Sequence, residues 1–151
     1  LEQKRPNPRP IVTTESGELT SWLTFAAHTD RIGFSTYRVV RRSSGGVFRY
    51  SLIPPWFYSR KALLVSWILK ETYVSEFQME PWATTDIRNA TQEDNDQTFS
   101  VADVEKHFDF AERMNYQQID LWGAEWWYWM KTQQGNDGYW NAIKTRVNTA
   151  K

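Results

Sequence analysis

Apolar positions along the chain switch between a period of two and a period near 3.6, and the switches mark its elements. A β-branched run from Ile11 to Thr14 stops at the turn-prone Glu15-Ser16-Gly17 and predicts a strand. Leu19, Trp22, Leu23 and Ala26 follow at offsets 0, 3, 4 and 7, the spacing of one helix face. Arg31 to Ser35 reads as a second strand, leading to a loop at Ser43-Ser44-Gly45-Gly46. Pro54-Pro55 introduce the leucine-rich WFYSRKALLVSWILKE, which has helical length and tolerates proline in its first turn. TYVSEF, β-branched and aromatic up to Glu76, predicts a third strand.

From Gln78 to Phe99 the chain is polar and irregular, so a long loop is expected, of the kind that is usually functional. Ser100 with Asp103 reads as a capping box opening a helix that carries Val101, Val104, Phe108 and Ala111 on one side. QQIDLW is the fourth strand, the aromatic run from Trp122 to Trp129 follows it directly, and GYWNAIKTRVNTA is a last helix. Four β-α repeats predict an α/β fold with a parallel sheet, either doubly wound or part of a (β/α)8 barrel. No glycine-rich phosphate fingerprint follows any strand, which counts against a nucleotide-binding sheet. Polar or aromatic clusters follow each strand instead, and in a barrel those ends share one face.

Length and composition narrow the partners. The 151 residues suit one domain over 11–151 behind a proline-rich leader at 1–10. Eighteen basic residues balance eighteen acidic ones, so no nucleic acid or anionic membrane is expected as a partner. With no cysteine and only His28 and His107, a structural zinc site is improbable, and no metal or cofactor is expected. No segment has the length of a membrane span, and the leader lacks the apolar stretch of a signal peptide, which fits a mature or truncated start and leaves the compartment open.

The strongest chemical cluster is SEFQMEPW, Ser75 to Trp82. A carboxylate ending a buried strand needs a reason, since burying an unpaired charge is costly. Two readings stand side by side: Glu76 is one of the paired carboxyl groups that glycoside hydrolysis requires, or it pairs with an arginine such as Arg38 and supports the fold. Tyr37 and Arg38 end the preceding strand, where they could orient Glu76 or simply be a strand-end tyrosine and a solvated arginine. Glu15 and Glu18 suit a helix N-terminus, and both histidines suit structural roles. QEDNDQ lacks the ligand spacing of a calcium loop. The run LWGAEWWYW, with Trp122, Glu125 and Trp126, could be core, protein interface or a wall that stacks on sugar rings. Glu125 and Gly123 among the rings favour a pocket wall, with two or three of the rings turned inward.

In order along the chain, VTTESGE, DRIGFSTYR, YVSEFQMEPW and LWGAEWWYW resemble strand-end motifs in the second half of a cellulase-like glycoside hydrolase of the retaining (β/α)8 clan. The resemblance implies strands five to eight of a barrel. It makes Glu76 the catalytic nucleophile, Tyr37 its hydrogen-bonding partner and Trp122 the stacking platform, with Arg38, Gln78, Glu80, Trp82, Glu125 and Trp126 around an oligosaccharide or glycoside substrate. The clan's acid/base glutamate belongs to its fourth strand as an Asn-Glu pair, which this sequence lacks. The expectation is therefore a chain that hydrolyses little or nothing by itself. Either an N-terminal half-barrel is missing, the preferred account, or two copies associate to close a barrel. A non-catalytic carbohydrate-binding module and a subunit with an aromatic protein interface are the rival readings.

Overall fold

Four parallel strands lie side by side in the order in which the chain makes them. The computed structural model describes residues 9–68, 71–83, 85–86 and 88–149. Strands β1 (Val12–Ser16), β2 (Arg31–Thr36), β5 (Glu71–Gln78) and β6 (Ile119–Trp122) form one sheet in the order β1-β2-β5-β6, every pair parallel. Between β2 and β5 the chain inserts a separate antiparallel hairpin of β3 (Val39–Arg41) and β4 (Val47–Arg49). The helices are α1 (Leu23–Ala26), α2 (Trp56–Val65), α3 (Gln92–Asp96), α4 (Val101–Met114), α5 (Ala124–Gln133) and α6 (Gly138–Thr149).

Strand order decides where the core lies. Parallel neighbours joined in sequence need crossovers that all turn the same way, so the helices collect on one face of the sheet. On that face Ile32, Phe34, Val74 and Phe77 are wholly buried, and they join Tyr58, Val104, Met114 and Trp126 in a single core. Phe34 is its hub, stacked on Trp22 at 4.6 Å and on Tyr58 at 5.7 Å, with Tyr116 edge-on at 5.1 Å. On the opposite face Val12, Thr14, Asp120 and Trp122 are exposed.

Several expected elements change in extent. The first helix shrinks to one turn because Trp22 adopts a left-handed backbone (φ 67°). Its indole folds back to donate to the Ser16 carbonyl at 2.9 Å, and Leu19, expected on the buried face, is exposed. Helix α2 ends at Val65, with Leu69 and Lys70 of the expected run outside the described residues. The long polar loop contains α3, whose N-cap Thr91 accepts from the Asp94 amide at 3.1 Å. The capping box is present, the Asp103 carboxylate accepting from the Ser100 amide at 3.0 Å and from its hydroxyl at 2.8 Å.

Candidate active site

Strand β5 delivers its acid by breaking the two-residue alternation. Val74 and Phe77 both face the helices although three positions separate them, and the register against β2 shifts so that Phe34 faces Val74 while Ser35 faces Glu76. Ser75 is the extra residue of a β-bulge. In unbroken alternation Glu76 would share the face of Val74; with Ser75 as the extra residue its carboxylate faces away from the core.

The Tyr37 hydroxyl meets that carboxylate, donating to Glu76 Oε2 at 3.1 Å. Burial and then the charge of Glu76 hold the Tyr37 phenol well above its ordinary range, so it stays protonated and remains a donor. Tyr37 also packs edge-on against Trp82 at 5.3 Å. Together with Gln78, Glu80, Pro81, Ala83 and Trp126 these two rings line a cleft of about 350 Å³ at the carboxyl end of the sheet. Glu80 is pushed above the usual carboxylate range by burial first and by the charge of Glu125 second, against a hydrogen bond from the Trp122 side chain.

The aromatic run is a clamp as much as a wall. Trp122 ends β6, and from Ala124 onward the run is helix α5. Trp127 is buried and donates its indole N–H to the Met79 carbonyl at 2.6 Å, while the Met79 amide donates to the Trp122 carbonyl at 2.9 Å. Gly123 makes this approach possible. It sits at φ +128°, and a Cβ there would lie 2.8 Å from Glu80 Cβ. Trp126 is 4 % exposed, edge-on to Tyr139 at 4.3 Å, and so divides its faces between core and cleft. Trp122 and Trp82 keep open faces at 46 % and 40 % exposure. Glu125 stands exposed in the first turn of α5, where a carboxylate favours the helix dipole.

Two expected site residues serve elsewhere. Arg38 does not reach Glu76: its guanidinium donates to the Ile53 carbonyl at 3.0 Å and lies over the ring of Phe110 in α4 at 3.9 Å. Gln78 lines the cleft but is 1 % exposed, and both its amide hydrogens go to backbone, to Val39 O at 2.8 Å and Glu80 O at 3.2 Å. Its oxygen accepts from the Val39 amide at 2.9 Å, so it ties β5 to the hairpin. His107 is buried against Phe99 and Phe77, as a structural role requires. Among the described residues no group of three or more His, Asp or Glu side chains is placed to hold a metal ion, and no helix is long and apolar enough to cross a membrane.

Fold and site together define an α/β chain with a tyrosine-braced carboxylate at the carboxyl end of a parallel sheet. No protein-family model, curated protein or solved structure matches the chain.

Proposed function

We propose that the chain is the half of a retaining (β/α)8 glycoside hydrolase that carries the nucleophile, Glu76, and that its substrate is a β-linked sugar. The carrying observation is the Tyr37–Glu76 hydrogen bond at 3.1 Å, made at the carboxyl end of a parallel sheet in chain order, where barrel enzymes keep their reacting groups. Glu76 attacks the anomeric carbon as the glycosidic C–O bond breaks, and an acid carboxyl from the other half of the barrel protonates the departing oxygen. The same group, now a base, takes a proton from water, whose oxygen displaces Glu76 and frees the sugar. Tyr37 holds Oε2 and leaves Oε1 to attack. Trp82 and Trp122 offer open ring faces for sugar stacking, and Glu80 is placed to hydrogen-bond a hydroxyl.

A 2,4-dinitrophenyl 2-deoxy-2-fluoro-β-glycoside tests the nucleophile alone, since its leaving group departs without protonation. Incubation should add one fluoroglycosyl mass to the peptide holding Glu76 and none after Glu76→Gln. A label on Glu80, or no label, would sink the assignment. The exposed faces of Trp82 and Trp122 favour one other reading, non-catalytic sugar binding. In that case oligosaccharide quenches tryptophan fluorescence equally in wild type and Glu76→Gln, and no label forms.

A further inference from the structure

From Tyr37 to Tyr50 the chain carries Arg38, Arg41, Arg42 and Arg49 and no acidic residue, although its charges balance overall. Among the described residues none of the four forms a salt bridge. Three of them donate to main-chain carbonyls instead: Arg38 to Ile53 at 3.0 Å, Arg41 to Asp94 at 2.9 Å and Arg49 to Gln97 at 2.9 Å. A carbonyl fixes a guanidinium in place but carries no net charge, so the positive charge is positioned without being cancelled.

Arg38 and Arg49 look across a cavity of about 270 Å³ at helix α4. The α4 wall is a single helix face, with Asp103, Lys106, His107 and Phe110 at offsets 0, 3, 4 and 7. Phe110 seats the Arg38 guanidinium, 3.9 Å above its ring centre. Arg49 spends Nη2 on Gln97, and its other guanidinium donors bond no group among the described residues. The one acid in the lining is already engaged. Asp103 accepts from the Ser100 amide and hydroxyl through Oδ2 and from Lys106 through Oδ1 at 2.8 Å, and neither arginine reaches it. His107 is 8 % exposed and its Nε2 has no partner; burial keeps the ring neutral above pH about 4, so it adds no charge. Arg38, Arg49 and Lys106 against Asp103 leave the lining with two net positive charges.

We infer that this cavity binds a tetrahedral dianion, phosphate or sulfate, free or as a monoester, held by Arg38, Arg49 and Lys106. Two guanidiniums and an ammonium supply more donors than the two oxygens of a carboxylate can accept, whereas a tetrahedral oxyanion presents oxygens to all three. Two negative charges match the lining. The cavity shares no lining residue with the cleft beside Glu76, so nothing in the inference rests on sugar chemistry.

Calorimetric titration with inorganic phosphate at about pH 8, with sodium chloride holding ionic strength constant, should show one saturable site. The ring-proton resonances of His107 should move with the same midpoint while those of His28, outside this lining, stay in place. Lys106 is a surface side chain whose bond is to Asp103, so Lys106→Gln tests the charge with the fold kept, and affinity should fall about fivefold. Arg49→Gln should cost about tenfold or more, and Lys106→Arg should restore binding. Methyl phosphate separates the two sources of the dianion: tighter binding than inorganic phosphate assigns the cavity to a phosphate monoester, equal or weaker binding to the free ion. Heat no greater than that of added chloride, or unchanged affinity in both Lys106→Gln and Arg49→Gln, would overturn the inference.

Discussion

The Tyr37 hydroxyl, one residue past the end of β2, donates to Glu76 Oε2 at 3.1 Å beside a bulge that exists in β5 and not in β2. The pairing thus brings together two features of different kinds, a side chain and a shift in register. Tyr37→Phe keeps the ring that packs on Trp82 and removes only the donor. A hydrogen bond to a charged group is worth about 1.5–3 kcal/mol, so labelling of Glu76 by the fluoroglycoside should slow by about 10- to 100-fold. Unchanged circular dichroism would place that loss in the site and not in the fold.

Glycine is required at position 123 for space as well as for backbone. Gly123→Ala has to accept φ +128° and a Cβ 2.8 Å from Glu80 Cβ, whereas Gly45→Ala, at φ +93°, meets nothing within 4 Å. The shared backbone penalty is about 1–3 kcal/mol. Thermal melts should therefore show Gly123→Ala several degrees less stable than Gly45→Ala, and equal melting temperatures would remove the steric part of the account.

Stability should fall in mild acid through His107. Burial pushes its imidazole down to about 4 from an ordinary 6.5. Between those values the unfolded chain binds a proton that the folded chain does not, so stability is fully present above pH 6.5 and is lost as pH falls towards 4. The span corresponds to about 3 kcal/mol at its full extent. Urea melts from pH 7 to pH 4.5 should show this slope, and His107→Gln should flatten it.

Trp127→Phe removes the indole donor to the Met79 carbonyl and leaves that buried oxygen unpaired. The expected cost is about 1–3 kcal/mol, read as a lower urea midpoint. Cleft geometry should change as well, because Met79 precedes Glu80. Trp126→Phe leaves the clamp in place, so it should perturb the cleft wall while preserving the Met79 contact.

Periodicity made the order of strands readable, since Ile32 and Phe34 obey a period of two and α4 shows its apolar stripe and its capping box in plain sequence. It failed where a side chain found a distant partner. Leu19, Trp22, Leu23 and Ala26 have helical spacing, but Trp22 leaves the helix by bonding the Ser16 carbonyl and stacking on Phe34, and no local pattern encodes that exchange. The three-residue strands of the hairpin are too short to show a period, so nothing local in the sequence shows that Arg38 meets Ile53 and Phe110 and not Glu76. Glu76, Tyr37 and Trp82 stood out by residue type and place, whereas the clamp of Trp127 on Met79 pairs residues 48 positions apart. The spacing of three between Val74 and Phe77 is the trace that the bulge leaves in the sequence.

That spacing makes Ser75 a residue the core does not need. Without it Val74 and Phe77 would stand two apart in plain alternation, Glu76 would still lie opposite Ser35, and its carboxylate would still point away from the helices. What the extra residue adds is a second side chain beside the acid on the same face and a local increase in twist. A designer who moved this acid to another parallel sheet would keep its direction with the glutamate alone, and would leave behind the twist around it.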